Sequence, residues 1–213
     1  MRHRLALDLT IVVFLAGCAS YEPRTAPVPE AGAMRAWRTE GALAVGADPY
    51  VELERQKAVF DADLTEEGVL PIQVFVQNRG ERKVLVRASD IVLALSDGRE
   101  ITPQGASAVA AKLEKRQMHF WPTFFLGLPG AIASSAVSDK ARTDRQADYR
   151  SKELQEVTLR QDNSAHGFIY FIIPAPATPA FTEATLKVRF IDAEEATSVT
   201  VALRLSGLRR QEK

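Results

Sequence analysis

The sequence predicts a mainly β chain, an antiparallel β-sandwich interrupted by a helical, apolar-tipped insert. Three observations predict it. Apolar and polar residues alternate at period two over most of the chain from about residue 40. Turn-forming groups such as Asn78-Arg79-Gly80 and Ser96-Asp97-Gly98-Arg99 separate the alternating runs. Residues 105–154 abandon that alternation for a helical spacing around a long uncharged stretch.

The chain opens on Met1-Arg2-His3-Arg4, continues with an apolar run from Leu5 to Gly17, and reaches its single cysteine at Cys18. A basic start, a short apolar run and small residues have the layout of a secretory signal. The run is shorter than the ~20 residues needed to span a bilayer. Leu15-Ala16-Gly17-Cys18 resembles the lipobox of bacterial lipoproteins. That resemblance implies a signal peptide over 1–17, cleavage before Cys18, diacylglycerol on its thiol, and acyl chains such as palmitate at the new N-terminus. Asp8 within the apolar run departs from the usual pattern. Ala19 stands where an aspartate would favour inner-membrane retention, so the resemblance implies an outer-membrane lipoprotein facing the periplasm. Residues 18–38, with Pro23, Pro27, Pro29 and Gly32, read as a tether.

The sandwich is expected over 39–208, followed by a basic tail, 209–213. Gly41 to Val45 reads as its first strand. Asp48-Pro49 reads as a helix start, with Asp48 as N-cap, Pro49 at the first helical position and the helix ending near Ala58. Leu70 to Gln77 alternates strongly, with Ile72, Val74 and Val76 on one side. Shorter strands follow at Lys83–Arg87, Ile91–Leu95 and Glu100–Thr102. After the insert come Gln155–Arg160, then Gly167–Ile173, whose continuous apolar run marks a central strand. Thr185–Ile191 and Ser198–Leu205 complete the set, with Leu186, Val188 and Phe190 and then Val199, Val201, Leu203 and Leu205 inward. Such a set with turn chemistry between its members makes an immunoglobulin-like sandwich.

Ile72-Gln-Val-Phe-Val-Gln-Asn78, Asp90-Ile-Val-Leu-Ala-Leu-Ser-Asp-Gly98, Leu159, Gly167-Phe-Ile-Tyr-Phe-Ile-Ile-Pro174 and Leu186-Lys-Val-Arg-Phe190 are similar to exported immunoglobulin-like lipoproteins of the telokin-like DUF4352 type. The resemblance covers about residues 68–103 and 155–205; Gln161-Asp162-Asn163 stands where those domains have a Pro-Gly turn. It implies a binding or scaffolding module and carries over no catalytic residue.

Within the insert, Gly105 to Gln117 reads as a helix with Ala106, Val109, Ala110 and Leu113 along one side. Ser138 to Leu154 reads as a second, mostly polar helix. Phe120 to Val137 between them is 18 residues without a charge. One reading is a membrane span, which Pro129 and the glycines oppose and which would place the two halves of the sandwich on opposite sides of a bilayer. Another is a segment covering an open edge of the sandwich. A third is a helical hairpin whose tip, Phe120, Trp121, Phe124, Phe125, Leu126 and Leu128, touches lipid or an envelope protein, or mediates self-association.

Net charge is zero, and removing residues 1–17 leaves −1, which argues against nucleic acid as a partner. His3, His119 and His166 have no metal-ligand spacing. Neither a Gly-x-Ser-x-Gly elbow nor a phosphate-binding glycine loop occurs, and Glu66-Glu67 and Glu194-Glu195 read as solvated turns. The expectation is a non-enzymatic envelope lipoprotein with no cofactor or metal and a structural, adaptor or protein-interaction role. The alternative is a ligand-binding or enzyme-accessory domain that uses the insert as a lid.

Overall fold

The computed structural model describes residues 23–29, 33–118, 131–173 and 183–208. In chain order its strands are β1 (Ala36–Glu40), β2 (Leu43–Pro49), β3 (Val69–Asn78), β4 (Val84–Val86), β5 (Ile91–Leu95), β6 (Glu100–Ile101), β7 (Val157–Leu159), β8 (Ser164–Ile172), β9 (Glu183–Asp192) and β10 (Ser198–Ser206). The helices are α1 (Leu53–Phe60), α2 (Ala106–Met118) and α3 (Ala131–Lys152). The fold is the expected antiparallel sandwich. One sheet has the order β1-β2-β3-β8, and the other is built around β9. β10 runs along one edge of β9, while β5 pairs with Ala184–Val188 and β4 with Ile191–Asp192 on the other.

The two inner faces follow from the alternation. Leu70, Ile72, Val74 and Val76 of β3 meet Ile91, Leu93 and Leu95 of β5, Leu186, Val188 and Phe190 of β9, and Val201, Leu203 and Leu205 of β10 in one core. Each such side chain contributes roughly 1.5–3 kcal/mol on burial. Val199, expected on the same face, is 45% exposed near the start of β10. Asn78 closes β3 and ties it to the facing sheet. Its amide donates to the carbonyls of Arg82 (2.7 Å) and Leu159 (3.2 Å), and its oxygen accepts the Gly80 N–H (2.9 Å).

Three local expectations are corrected. First, the sheet begins at Ala36 rather than Gly41. Gly41 (φ +57°) sits in the two-residue turn that pairs Glu40 with Leu43, a left-handed position suited to glycine. Second, Asp48 and Pro49 do not start a helix. They end β2, opposite Gln73 and Ile72. Proline at a strand end forgoes no ladder bond, and the Asp48 carboxylate is taken by Arg35 and Arg55. α1 starts at Leu53 instead, with Glu52 as N-cap and no side-chain cap bond. Third, α3 starts at Ala131, so its first turns occupy what reads as the end of the uncharged stretch.

β8 shows why its sequence is continuously apolar. Ile169, Phe171 and Ile173 point into the sandwich, while Phe168 and Tyr170 lie in a second cluster beneath the helices. Both faces of this strand are covered, so neither needs polar residues.

Candidate functional site: the helix-covered face

The second cluster is an aromatic layer on the outer face of β3 and β8. Phe168 is edge-on to Tyr50 and to Phe60, each with centroids 4.9 Å apart. Phe60 is edge-on to Tyr149 of α3 at 5.6 Å, and Tyr149 stacks on Tyr170 at 6.2 Å. Edge-to-face pairs of this kind add to area burial. The hydroxyls are satisfied: Tyr149 Oη donates to the Phe60 carbonyl (3.1 Å) and Tyr170 Oη to the Tyr149 carbonyl (3.2 Å). Burial pushes the Tyr149 hydroxyl's pKa up. Ala106, Val109 and Leu113 of α2 pack on the same layer and Ala110 is buried, the side of the helix its spacing indicates.

The insert is rooted on the edge of β8 that β3 leaves open. Gln104 N–H donates to the Tyr170 carbonyl (2.8 Å), and Leu154 N–H to the Phe168 carbonyl (2.9 Å). These roots cover that edge of the sheet. Gly167 makes the approach possible: a Cβ there would lie 2.5 Å from both Cα and N of Leu154.

The last turn of α3 carries a buried ion pair. Lys152 Nζ donates to an Asp148 carboxylate oxygen one turn earlier, and the two side chains are 4% and 6% exposed. Burial pushes the Lys152 pKa down, and Asp148 opposes that shift. The ammonium also lies 5.9 Å from the centre of the Phe60 ring.

Residues 23–29 lie against the same face. Arg24 pairs with Asp61 (2.9 Å), the residue that ends α1 in the left-handed conformation (φ +52°). The Pro27 carbonyl accepts a 2.7 Å bond from the Gln73 amide, and the Gln73 oxygen accepts the Tyr50 hydroxyl at 3.2 Å. Burial raises the Tyr50 pKa, opposed by Arg55, whose guanidinium sits 3.9 Å from the ring centre. For Arg55, burial favours the neutral form, but hydrogen bonding to Asp48 outweighs it and the pKa is raised. Between this N-terminal strap, the end of α3 and the outer face of β3 and β8 runs a groove of about 390 Å³. Its polar lining includes Arg24, Thr25, Gln73, Asp148, Lys152 and His166, and Phe168 and Ala26 contribute apolar surface.

Of the residues singled out in sequence, Leu15, Ala16, Gly17 and Cys18 lie outside the described residues. So do Phe120, Trp121, Phe124, Phe125, Leu126 and Leu128. His166 is exposed and stands within β8, opposite Phe75. Among the described residues no helix is long and apolar enough to cross a membrane, and no group of three or more His, Cys, Asp or Glu could hold a metal ion. Sequence reading missed Gln73, Asp148 and Lys152. The only signal was the four-residue spacing of Asp148 and Lys152 on a helix, which normally marks a solvated ion pair.

No protein-family model matches the chain and no curated protein matches it, so the telokin-like resemblance rests on the residues quoted above. Among solved structures, the ycdA candidate lipoprotein of Bacillus subtilis is similar at 14% identity and a TM-score of 0.43. That similarity covers 80% of this chain but only 38% of the other, so this chain spans little more than a third of that protein. The yjhA protein of the same organism is similar at 12% identity and a TM-score of 0.40, covering 79% of this chain and 96% of that one. A candidate ApaA protein of Bordetella pertussis follows at 12% identity and a TM-score of 0.37, covering 84% and 99%. Similarity at this level carries no argument about what the chain binds or does.

Proposed function

We propose that this chain is a lipid-anchored protein of the bacterial cell envelope, acylated on Cys18, held at the outer membrane and facing the periplasm. In this reading it is a non-enzymatic structural or adaptor module. The observation that carries the proposal is Leu15-Ala16-Gly17-Cys18 behind a basic start and a short apolar run. Several acyl chains make a stable anchor, because each buried methylene contributes roughly 0.8 kcal/mol.

The docked strap adds geometry to that reading. Arg24 is six residues beyond Cys18, a step that spans at most about 20 Å when fully extended. Lipid on Cys18 therefore keeps the Arg24–Asp61 corner and the groove close to the membrane surface, so the domain is held in a restricted orientation. The insert is rooted on this same sheet, and its uncharged tip is the element proposed to meet a partner protein or lipid.

Fractionation of wild type and Cys18→Ala, each with and without residues 120–137, tests the proposal. It expects wild type in the outer membrane and Cys18→Ala soluble in the periplasm. Retention of Cys18→Ala on membranes, lost only when 120–137 is also deleted, would transfer the anchoring role to the insert. A cytoplasmic location for wild type would end the proposal.

A further inference from the structure

We infer that the groove between the strap and the last turn of α3 is a binding site for a small organic carboxylate, seated with its oxygens on the Lys152 ammonium and its apolar body toward Phe168 and Ala26. Such a site needs only groups on the outer face and is independent of the lipid anchor.

Unused hydrogen-bonding capacity sets the ligand's chemistry. An ammonium has three N–H donors. Among the described residues, Lys152 spends one of them, on Asp148, while its side chain is 4% exposed. Leaving buried donors without acceptors is costly. A buried ion pair is also a poor stabilising device in its own right, since desolvation offsets much of its attraction. Two of the nearby acceptors already take a bond: an Asp148 carboxylate oxygen from Lys152, and the Gln73 oxygen from Tyr50. The Ser151 hydroxyl proton goes to the Asp148 carbonyl at 2.7 Å. His166, on the exposed part of β8, and Thr25 of the strap line the same groove, and each brings a donor together with an acceptor. Arg24 adds positive charge at the strap, shared with Asp61. The two unspent N–H groups of Lys152 therefore call for a ligand that brings acceptors.

Size and surface narrow the class. A volume of about 390 Å³ lies at the small end of ligand sites, which suits a short-chain acid. Phe168 and Ala26 give its carbon skeleton an apolar surface. A cation would meet Lys152 and Arg24 and find the one lining carboxylate already paired.

The test is an amide NMR titration of the full chain in detergent, with sodium butyrate as the probe. Sodium chloride, sodium phosphate and butylammonium chloride at equal ionic strength are the comparison arms. The expected result is a saturable shift at Gly167, Phe168 and Lys152 with butyrate alone. Affinity should fall at least about tenfold in Lys152→Met and several-fold in His166→Ala. If Lys152→Met does not fold by circular dichroism, His166→Ala carries the comparison, because its exposed side chain leaves the core intact. No saturable shift with butyrate, equal binding of phosphate, or unchanged affinity in a folded variant would overturn the assignment.

Discussion

Gly167→Ala is expected to be the most damaging glycine-to-alanine change among the described residues. The new methyl would sit 2.5 Å from Leu154 Cα, 2.5 Å from Leu154 N and 2.9 Å from the Glu153 carbonyl carbon. These are backbone atoms and cannot swing aside, so the chain leaving α3 must retreat by about an ångström from packing distance. That retreat breaks the bond from Leu154 N–H to the Phe168 carbonyl (2.9 Å), at about 1 kcal/mol or more once the groups are left unsatisfied. It also draws Leu154, 2% exposed, partly out of the core, for roughly another 2 kcal/mol. The sum, about 3 kcal/mol, is a large share of the stability of an ordinary domain. Urea denaturation should show it as a midpoint lower by about 1.5 M, for a slope of about 2 kcal/mol per molar. Gly41→Ala is the control: its φ of +57° imposes strain but no neighbour lies within 4 Å, so about 1 kcal/mol is expected. A Gly167→Ala loss no larger than the control's would refute the close-approach argument.

Asn78→Ala should cost about 2–3 kcal/mol by the same assay, since it removes three hydrogen bonds at a buried position; a loss below about 0.5 kcal/mol would mean water replaces them. Tyr149→Phe should flatten the alkaline limb of the stability profile. The Tyr149 pKa is raised in the folded state, so an unfolded tyrosine loses its proton first, near pH 10. The associated stability is complete below that pH and is lost as pH rises toward the folded value. An unchanged alkaline slope in the variant would assign it to other groups. Gln73→Ala should loosen the strap by removing the donor to Pro27. Trypsin cleavage after Arg24 should then become several-fold faster, and an unchanged rate would show that the Arg24–Asp61 pair holds the strap by itself.

The sandwich was legible in the sequence because one side of each main strand faces a shared apolar core and, outside the helix-covered face, the other side carries the more polar residues. Ile72, Val74, Val76, Leu186, Val188, Phe190, Val201, Leu203 and Leu205 recur at every second position and point into the core as that spacing says. β1 was not legible: Ala36-Trp37-Arg38-Thr39-Glu40 is an edge strand exposed over most of its length, so no apolar face marks it. The start of α1 was misplaced because Asp48-Pro49 satisfies the local rule for a helix start while tertiary ion pairs and β2–β3 pairing prevail. The aromatic layer was half legible. The unbroken Phe168–Ile173 run reads as a central strand, whereas β8 is the last strand of its sheet and is apolar because both its faces are covered; nothing local said that Tyr50, Phe60 and Tyr149 would supply the second cover. The groove was not legible, because Asp148 and Lys152 read as an exposed helix pair until the strap and β8 are placed around them.

The most direct test of the account is the intact mass of the protein isolated from membranes. The expected product is a chain that begins at Cys18, lacks residues 1–17, and carries a diacylglyceryl thioether and further acylation at its N-terminus. A mature chain beginning elsewhere, or a Cys18 with a free thiol, would contradict it.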